Sequence, residues 1–277
     1  MTAVSEPDYV AGRERNRLSI PLAPLMAVLC VLPARIASQR IPGKPLQRIA
    51  GRPLVEWSWR AARRIPGIDA VWVATDDAGI ADVVRGFGGV AVMTSAEHPS
   101  GTDRVAEAAR RPEAAGFDVI VNFQADEPLL PPEHAAEAVR PVREGKAAIA
   151  TLATPIRTVK EWESPAEVKV ARAADGRALY FSRAPIPWAA GGTPPLDAGG
   201  GPWLRHLGLY VYTREALERW VSLPPSPLET LERLEQLRPL EAGIRIHVAI
   251  VGPSGMPVEE PADLERAARI LAARNHE

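Results

Sequence analysis

The chain has 277 residues, enough for one large α/β domain or two small ones. Hydrophobic residues make up 46% and the formal net charge is -1, so no global basic field exists and nucleic acid is excluded as an expected partner. The single cysteine, Cys30, excludes an internal disulfide; set in an apolar run, it reads as a buried thiol suited to a reducing cytoplasm.

Arg13, Arg15 and Arg17, followed by apolar residues from Leu18 to Leu32, mimic a secretory signal. Pro21, Pro24 and Pro33 interrupt the run, which is too short to span a membrane as a helix. Residues 1–24 therefore read as an N-terminal extension and 26–32 as the first core strand. A helix is expected over Leu54–Arg64, where Pro53 suits the first turn and Pro66-Gly67 stops it. A strand at Ala70–Ala74, a helix at Ala78–Gly86, a strand at Val90–Met93, a helix at Asp103–Arg111 and an apolar strand at Val119–Phe123 follow. Strands and helices alternating at this spacing predict right-handed βαβ units and a mostly parallel, Rossmann-like α/β sheet.

From about Ala147 the pattern changes to strands at Ala148–Pro155, Val168–Arg172, Ala178–Ser182 and Leu207–Tyr212, with a Gly/Pro-rich loop at Ala189–Gly201. The expected organisation is a nucleotide-binding core from residues 25–146 and 223–277, with 147–222 as an inserted lid or dimerisation subregion. A helix over Leu231–Leu240, a strand over Ile244–Ala249 and a closing helix over Ala262–Ala273, with Pro261 at its first position, complete the chain.

Chemistry is concentrated at predicted strand ends, where ligands gather in parallel sheets. The apolar run AVLCVL opens at Pro33 into a loop carrying Arg35, Ser38, Arg40, Gly43 and Lys44. Guanidinium forks, an ammonium and a glycine that lets backbone N–H groups approach are the parts of a phosphate cradle. It is not a Walker A loop, because the spaced G-x-x-x-x-G-K-[ST] pattern is absent. No G-x-G-x-x-G follows the first strand, which argues against a dinucleotide-binding oxidoreductase. Asp126-Glu127 directly follows an apolar strand, where a carboxylate needs a partner and a phosphate-bridging Mg²⁺ is a natural one.

The ordered blocks PARIASQRIPGKPL, VATDD, MTSAEHPSGTDR, VNFQADEPLLPPE, VKV, ALYFSRAPIPW, RHLGLYVY and SPLETLERLEQLR resemble those of the CMP-KDO synthetases (3-deoxy-manno-octulosonate cytidylyltransferases). The resemblance runs from about Ala27 to the C-terminus. It implies a nucleotidyltransferase fold, a homodimer built through the inserted subregion, and transfer of CMP from CTP to a small anionic acceptor. It also implies roles. Arg35, Arg40 and Lys44 neutralise the phosphates, and Ala34, Ser38, Ser100, Gly101, Arg104 and Gln124 hold the nucleotide. His206, Tyr210, Glu235 and Gln236 contact the acceptor, with Arg183 nearby. Asp126 ligates Mg²⁺ together with a C-terminal aspartate whose place is taken here by Glu259.

Three departures bear on the acceptor. Ala125 replaces a glycine, Glu259 replaces an aspartate, and Ala189-Ala190 stand where the family carries Asp-Arg after the tryptophan, so an acceptor-binding arginine is missing. That loss favours a compact phosphonate such as phosphonoformate as acceptor; KDO is the alternative by overall similarity. A non-catalytic nucleotide-binding scaffold is the third reading, kept by the Glu259 change at the metal site.

Overall fold

The computed structural model describes residues 26–37, 40–196, 201–255 and 257–274; the expected extension 1–24 and Ser38 lie outside them. β1 (Val28–Ala34) leads into the short hairpin β2 (Arg48–Ile49) and β3 (Arg52–Pro53), then α1 (Leu54–Arg63). β4 (Ala70–Thr75), α2 (Ala78–Gly86), β5 (Val90–Met93), α3 (Gly101–Ala109) and β6 (Val119–Asn122) follow as expected. Next come α4 (Pro132–Arg143), β7 (Ile149–Pro155), α5 (Val159–Glu163), β8 (Lys169–Arg172), β9 (Ala178–Ser182) and β10 (Leu204–Thr213). The chain closes with α6 (Arg214–Ser222), α7 (Pro227–Glu232), α8 (Leu237–Glu241), β11 (His247–Ile250) and α9 (Pro261–Arg274).

The main sheet has the order β11-β7-β10-β6-β1-β4-β5, with β8 pairing to β10 and β9 pairing to β8. β1 is parallel to β4 and β6, β4 to β5, and β11 to β7, while β10 runs antiparallel to both β6 and β7. The sheet is thus mostly parallel, as expected. β1 extends past Pro33 because its pairing with β6 ends at Val31↔Asn122; beyond that point a missing N–H removes no ladder bond on that side.

Alternation along β1 supplies both cores. Val28, Cys30 and Leu32 face a layer with Val55 and Trp59 of α1, Ile80 of α2 and Val139 of α4. Leu29 and Val31 face the other layer, with Val105 of α3 and Leu217 and Trp220 of α6. Each fully buried Val or Leu contributes about 1.5–3 kcal/mol, which is why a central strand reads as one apolar run. Cys30 is fully buried and burial pushes its thiol up, so it stays an inert packing residue.

Within residues 147–222, β7 and β10 lie inside the main sheet, β8 and β9 join it through β10, and α5 and α6 are the helices. The helix expected over Leu231–Leu240 is split, because Arg233 turns left-handed at φ 54° and ends α7. The turn lets Leu234 enter the core while Glu235 reaches α3. Ser100 caps α3, accepting from the Asp103 N–H. No helix among the described residues is long and apolar enough to cross a membrane.

Candidate active site

The carboxyl ends of β1 and β6 open onto a cleft of about 240 Å³ lined by Ala34, Arg35, Lys44, Gly101, Arg104, Gln124 and Asp126, among others. A larger cleft of about 730 Å³ adjoins it, with Gln124 and Asp126 lining both. The second cleft is otherwise walled by β10 residues Arg205–Gly208, by Glu127 and Glu167, and by the C-terminal segment carrying Glu259. Two compartments meeting at one amide and one carboxylate suit a reaction that joins two substrates.

The basic loop closes onto the acidic side of this boundary. Gly43 takes φ 60°, a left-handed turn that glycine adopts without steric cost, and delivers Lys44 into the cleft. The Lys44 ammonium donates to Asp126 Oδ2 and, at 2.9 Å, to the Val258 carbonyl. Arg40 NH1 lies 2.5 Å from Glu259 Oε2, and that pairing holds its guanidinium above its ordinary pKa. Arg35 lines the small cleft, is exposed, and has no ion-pair partner among the described residues. Ile41, Ile49 and Leu54 pack with Val258, Ala267 and Leu271, so α9 brings the Val258-Glu259 step to the loop.

Arg104 lines the small cleft and is 1% exposed. It donates to Thr94 Oγ1 at 2.6 Å and to Asp76 Oδ2 at 3.2 Å, which fixes the guanidinium plane. Ser100 Oγ lies 3.0 Å from Glu235 Oε1, and Thr102 Oγ1 donates to Glu235 Oε2 at 3.1 Å. Burial raises the Glu235 pKa. Gln124 Nε2 donates to Asn122 Oδ1 at 3.0 Å, and Ala125, the residue in the place of a family glycine, accepts from Ser58 Oγ through its carbonyl at 2.7 Å.

In the large cleft, His206 Nε2 lies 2.9 Å from Thr151 Oγ1; burial and the neighbouring Arg205 charge push its pKa down to about 3. Glu127 is pushed up to about 8 by burial and by the adjacent Asp126 charge. Arg205 is buried between Glu161, at 3.0 Å, and Glu167, at 3.6 Å.

Four residues expected at the acceptor do not face the large cleft. Tyr210 shares a face with His206, at 5.3 Å between ring centroids, but it is buried against Tyr212 and Trp220 and does not line the cleft. The Arg183 guanidinium is turned away, donating to the carbonyls of Glu232 at 2.9 Å and Pro165 at 3.0 Å. Glu235 braces α3, with buried Gln236 beside it, and neither lines either of these two clefts. Asp263 caps α9 by accepting from the Glu259 and Glu260 N–H groups. The sequence reading assigned no role to Asp76, Glu127 or Arg205, although all three lie within recognisable blocks; only the fold shows what they hold.

A family described as cytidylyltransferase matches residues 29–246. The 3-deoxy-manno-octulosonate cytidylyltransferase of Azorhizobium caulinodans is 49% identical over 256 residues, covering 90% of this chain and 97% of its own. The protein of that name from Rhodopseudomonas palustris (strain BisB18) is 47% identical over 249 residues, covering 88% of this chain and 97% of its own. A solved CMP:2-keto-3-deoxy-manno-octonic acid synthetase complexed with CTP matches with a TM-score of 0.81 at 38% identity, over 90% of this chain and 99% of that one. With a basic loop closing on one cleft and a second cleft beyond Gln124 and Asp126, the chain belongs to the CMP-KDO synthetase (3-deoxy-manno-octulosonate cytidylyltransferase) family and is a CTP-dependent nucleotidyltransferase.

Proposed function

We propose that this enzyme transfers CMP from CTP to 3-deoxy-manno-octulosonate, releasing pyrophosphate. The observation that carries the reading is the 730 Å³ cleft across the Gln124–Asp126 boundary, which has room for an eight-carbon sugar acid. A phosphonate such as phosphonoformate, favoured by the missing arginine together with the Ala125 and Glu259 changes, would leave most of that space to water. The names of relatives at 46–49% identity support the larger acceptor as well.

In this reading CTP lies in the small cleft with its phosphates on Arg35, Arg40 and Lys44. Asp126 and Glu259 are oxygen donors already holding cationic groups, so the pair suits a hard cation such as Mg²⁺. No cluster of three or more metal-ligating side chains exists among the described residues, and phosphate oxygens would complete the coordination. Bound there, Mg²⁺ would neutralise phosphate charge and polarise the α-phosphorus. As Lys44 and Arg40 turn to the phosphates, their carboxylate partners become available to the ion. The acceptor hydroxyl oxygen forms the new bond to the α-phosphorus while the bond to the β-phosphate oxygen breaks, and the three cations stabilise the departing pyrophosphate. Gln124, lining both clefts, is placed to orient both substrates.

The test is pyrophosphate release from CTP and Mg²⁺ with and without KDO. KDO-dependent release by the wild type, lost in Asp126→Asn, is the expected result. Release that ignores the acceptor, or undiminished activity of Asp126→Asn, would contradict the assignment.

A further inference from the structure

The large cleft carries more negative than positive side chains. Asp126, Glu127, Glu167, Glu259, Glu260 and Asp263 line it, against Lys160, Arg205 and Arg266. An anionic acceptor entering such a cleft needs a positive charge that the protein has not already balanced. Arg205 is buried and flanked by Glu161 and Glu167. Arg266 NH2 lies 3.5 Å from Asp263 Oδ1. The segment Ala189–Leu196 contains no charged residue. Lys160 is different: exposed on α5, its ammonium has no ion-pair or hydrogen-bond partner among the described residues.

The backbone under Lys160 is nevertheless firmly held. Thr158 caps α5 by accepting from the Glu161 N–H, Trp162 is 2% exposed, and Glu161 is tied to Arg205 across to β10. Lys160 also lines an adjoining cleft of about 400 Å³ that shares Ser164, Glu167 and Arg205 with the larger one. A free ammonium on an anchored short helix, lining a cleft whose other cations are balanced, is a ready carboxylate receptor.

We propose that Lys160 binds the carboxylate of the acceptor and sets the preference of the large cleft for acidic sugars. This rests on the KDO assignment above, and the experiment separates the two. Steady-state kinetics would be run on wild type, Lys160→Ala, Lys160→Arg and Arg157→Ala, with KDO and with its carboxamide. Wild-type turnover of KDO tests the assignment itself. Given that turnover, Lys160→Ala should raise the KM for KDO about 10- to 100-fold, the range expected of one charge-assisted hydrogen bond, with kcat and the KM for CTP little changed. Lys160→Arg should stay within a few-fold of wild type, and wild type and Lys160→Ala should converge on the carboxamide. Arg157, which lines only the neighbouring cleft, controls for general loss of positive charge. An unchanged KM in Lys160→Ala, an equal loss on the carboxamide, or an equal effect of Arg157→Ala would overturn the role of Lys160. A wild type inert towards KDO would remove the acceptor assignment and this inference together.

Discussion

Lys44 and Arg40 hold two carboxylates, Asp126 and Glu259, that arrive from positions 82 and 219 residues further along the chain. Substituting either cation with alanine should leave the fold intact, since both lie in a loop outside the sheet core, and lower kcat by about 10²–10³-fold, the cost typical of one lost transition-state donor. A folded Lys44→Ala with near-native turnover would remove the loop from the chemistry. Arg104 is the opposite case, buried and balanced by Asp76 with its side chain 11% exposed. Arg104→Met leaves that carboxylate uncompensated and should cost about 3–5 kcal/mol in urea unfolding; a loss below about 1 kcal/mol would contradict the pairing's role. His206 makes one pH-dependent contribution to stability, opposed by Glu127, whose raised pKa of about 8 makes stability grow as pH falls from 8 towards 4.5. The His206 contribution is therefore read as the difference between wild type and variant. The folded pKa of His206, about 3, lies below the ordinary 6.5, so the unfolded chain binds its proton first and stability is lost as pH falls from 6.5 towards 3. Between pH 6.5 and 5 this amounts to about 2 kcal/mol, a slope that His206→Gln should remove. Parallel stability profiles for the two proteins would count against it. At this scale the meeting of the basic loop with Asp126 at one cleft was legible, because the loop and Asp126 both follow apolar strands that end on the same side of the sheet. Arg183 and Tyr210 were misread because sequence fixes which way a strand residue can face, not what a neighbouring element does with its side chain.

Elements position the site through close backbone approaches. A Cβ on Gly255 would meet Leu129 Cβ at 2.6 Å and its carbonyl oxygen at 3.0 Å, and a backbone atom cannot step aside as a side-chain end can. Gly255→Ala should therefore displace the segment leading to Val258 and Glu259, weakening the Mg²⁺ dependence of turnover more than it lowers the melting temperature. An unchanged Mg²⁺ titration would show that this segment does not set the metal site. On β10 the register shifts between Leu207 and Tyr210 against β7, and Gly208 lies within the shifted stretch. A Cβ there would come within 3.2 Å of Glu127 Oε1. Strand and helix positions for the first half of the chain followed from periodicity, with Ala78–Gly86 and Val90–Met93 found at the expected bounds. The bulge on β10 and the break at Arg233 left no such trace, because both depend on where distant side chains are anchored.

At the scale of the whole molecule, the sheet order places the basic loop, Arg104 and Asp126 around one cleft at the carboxyl ends of parallel strands, while antiparallel β10 walls the second cleft. The mostly parallel sheet was legible from alternation; the insertion of β7 and β10 into it was not, since pairing between residues as far apart as Ile149 and Tyr212 leaves no local pattern. We propose that β8 and β9, with the exposed Leu179 and Trp188 near them, support the homodimer implied by the family resemblance. Light scattering on the purified protein should then give about twice the 29.9 kDa chain mass, and a monomer would contradict it. The central claim is cytidylyl transfer across the Gln124–Asp126 boundary to a large sugar acid. It is tested most directly by kcat/KM for KDO and for phosphonoformate, with CTP and Mg²⁺ present and the CMP-linked product identified by mass. The account predicts CMP-KDO formed in step with pyrophosphate and KDO preferred by about 100-fold or more; phosphonoformate used as well as KDO would contradict it.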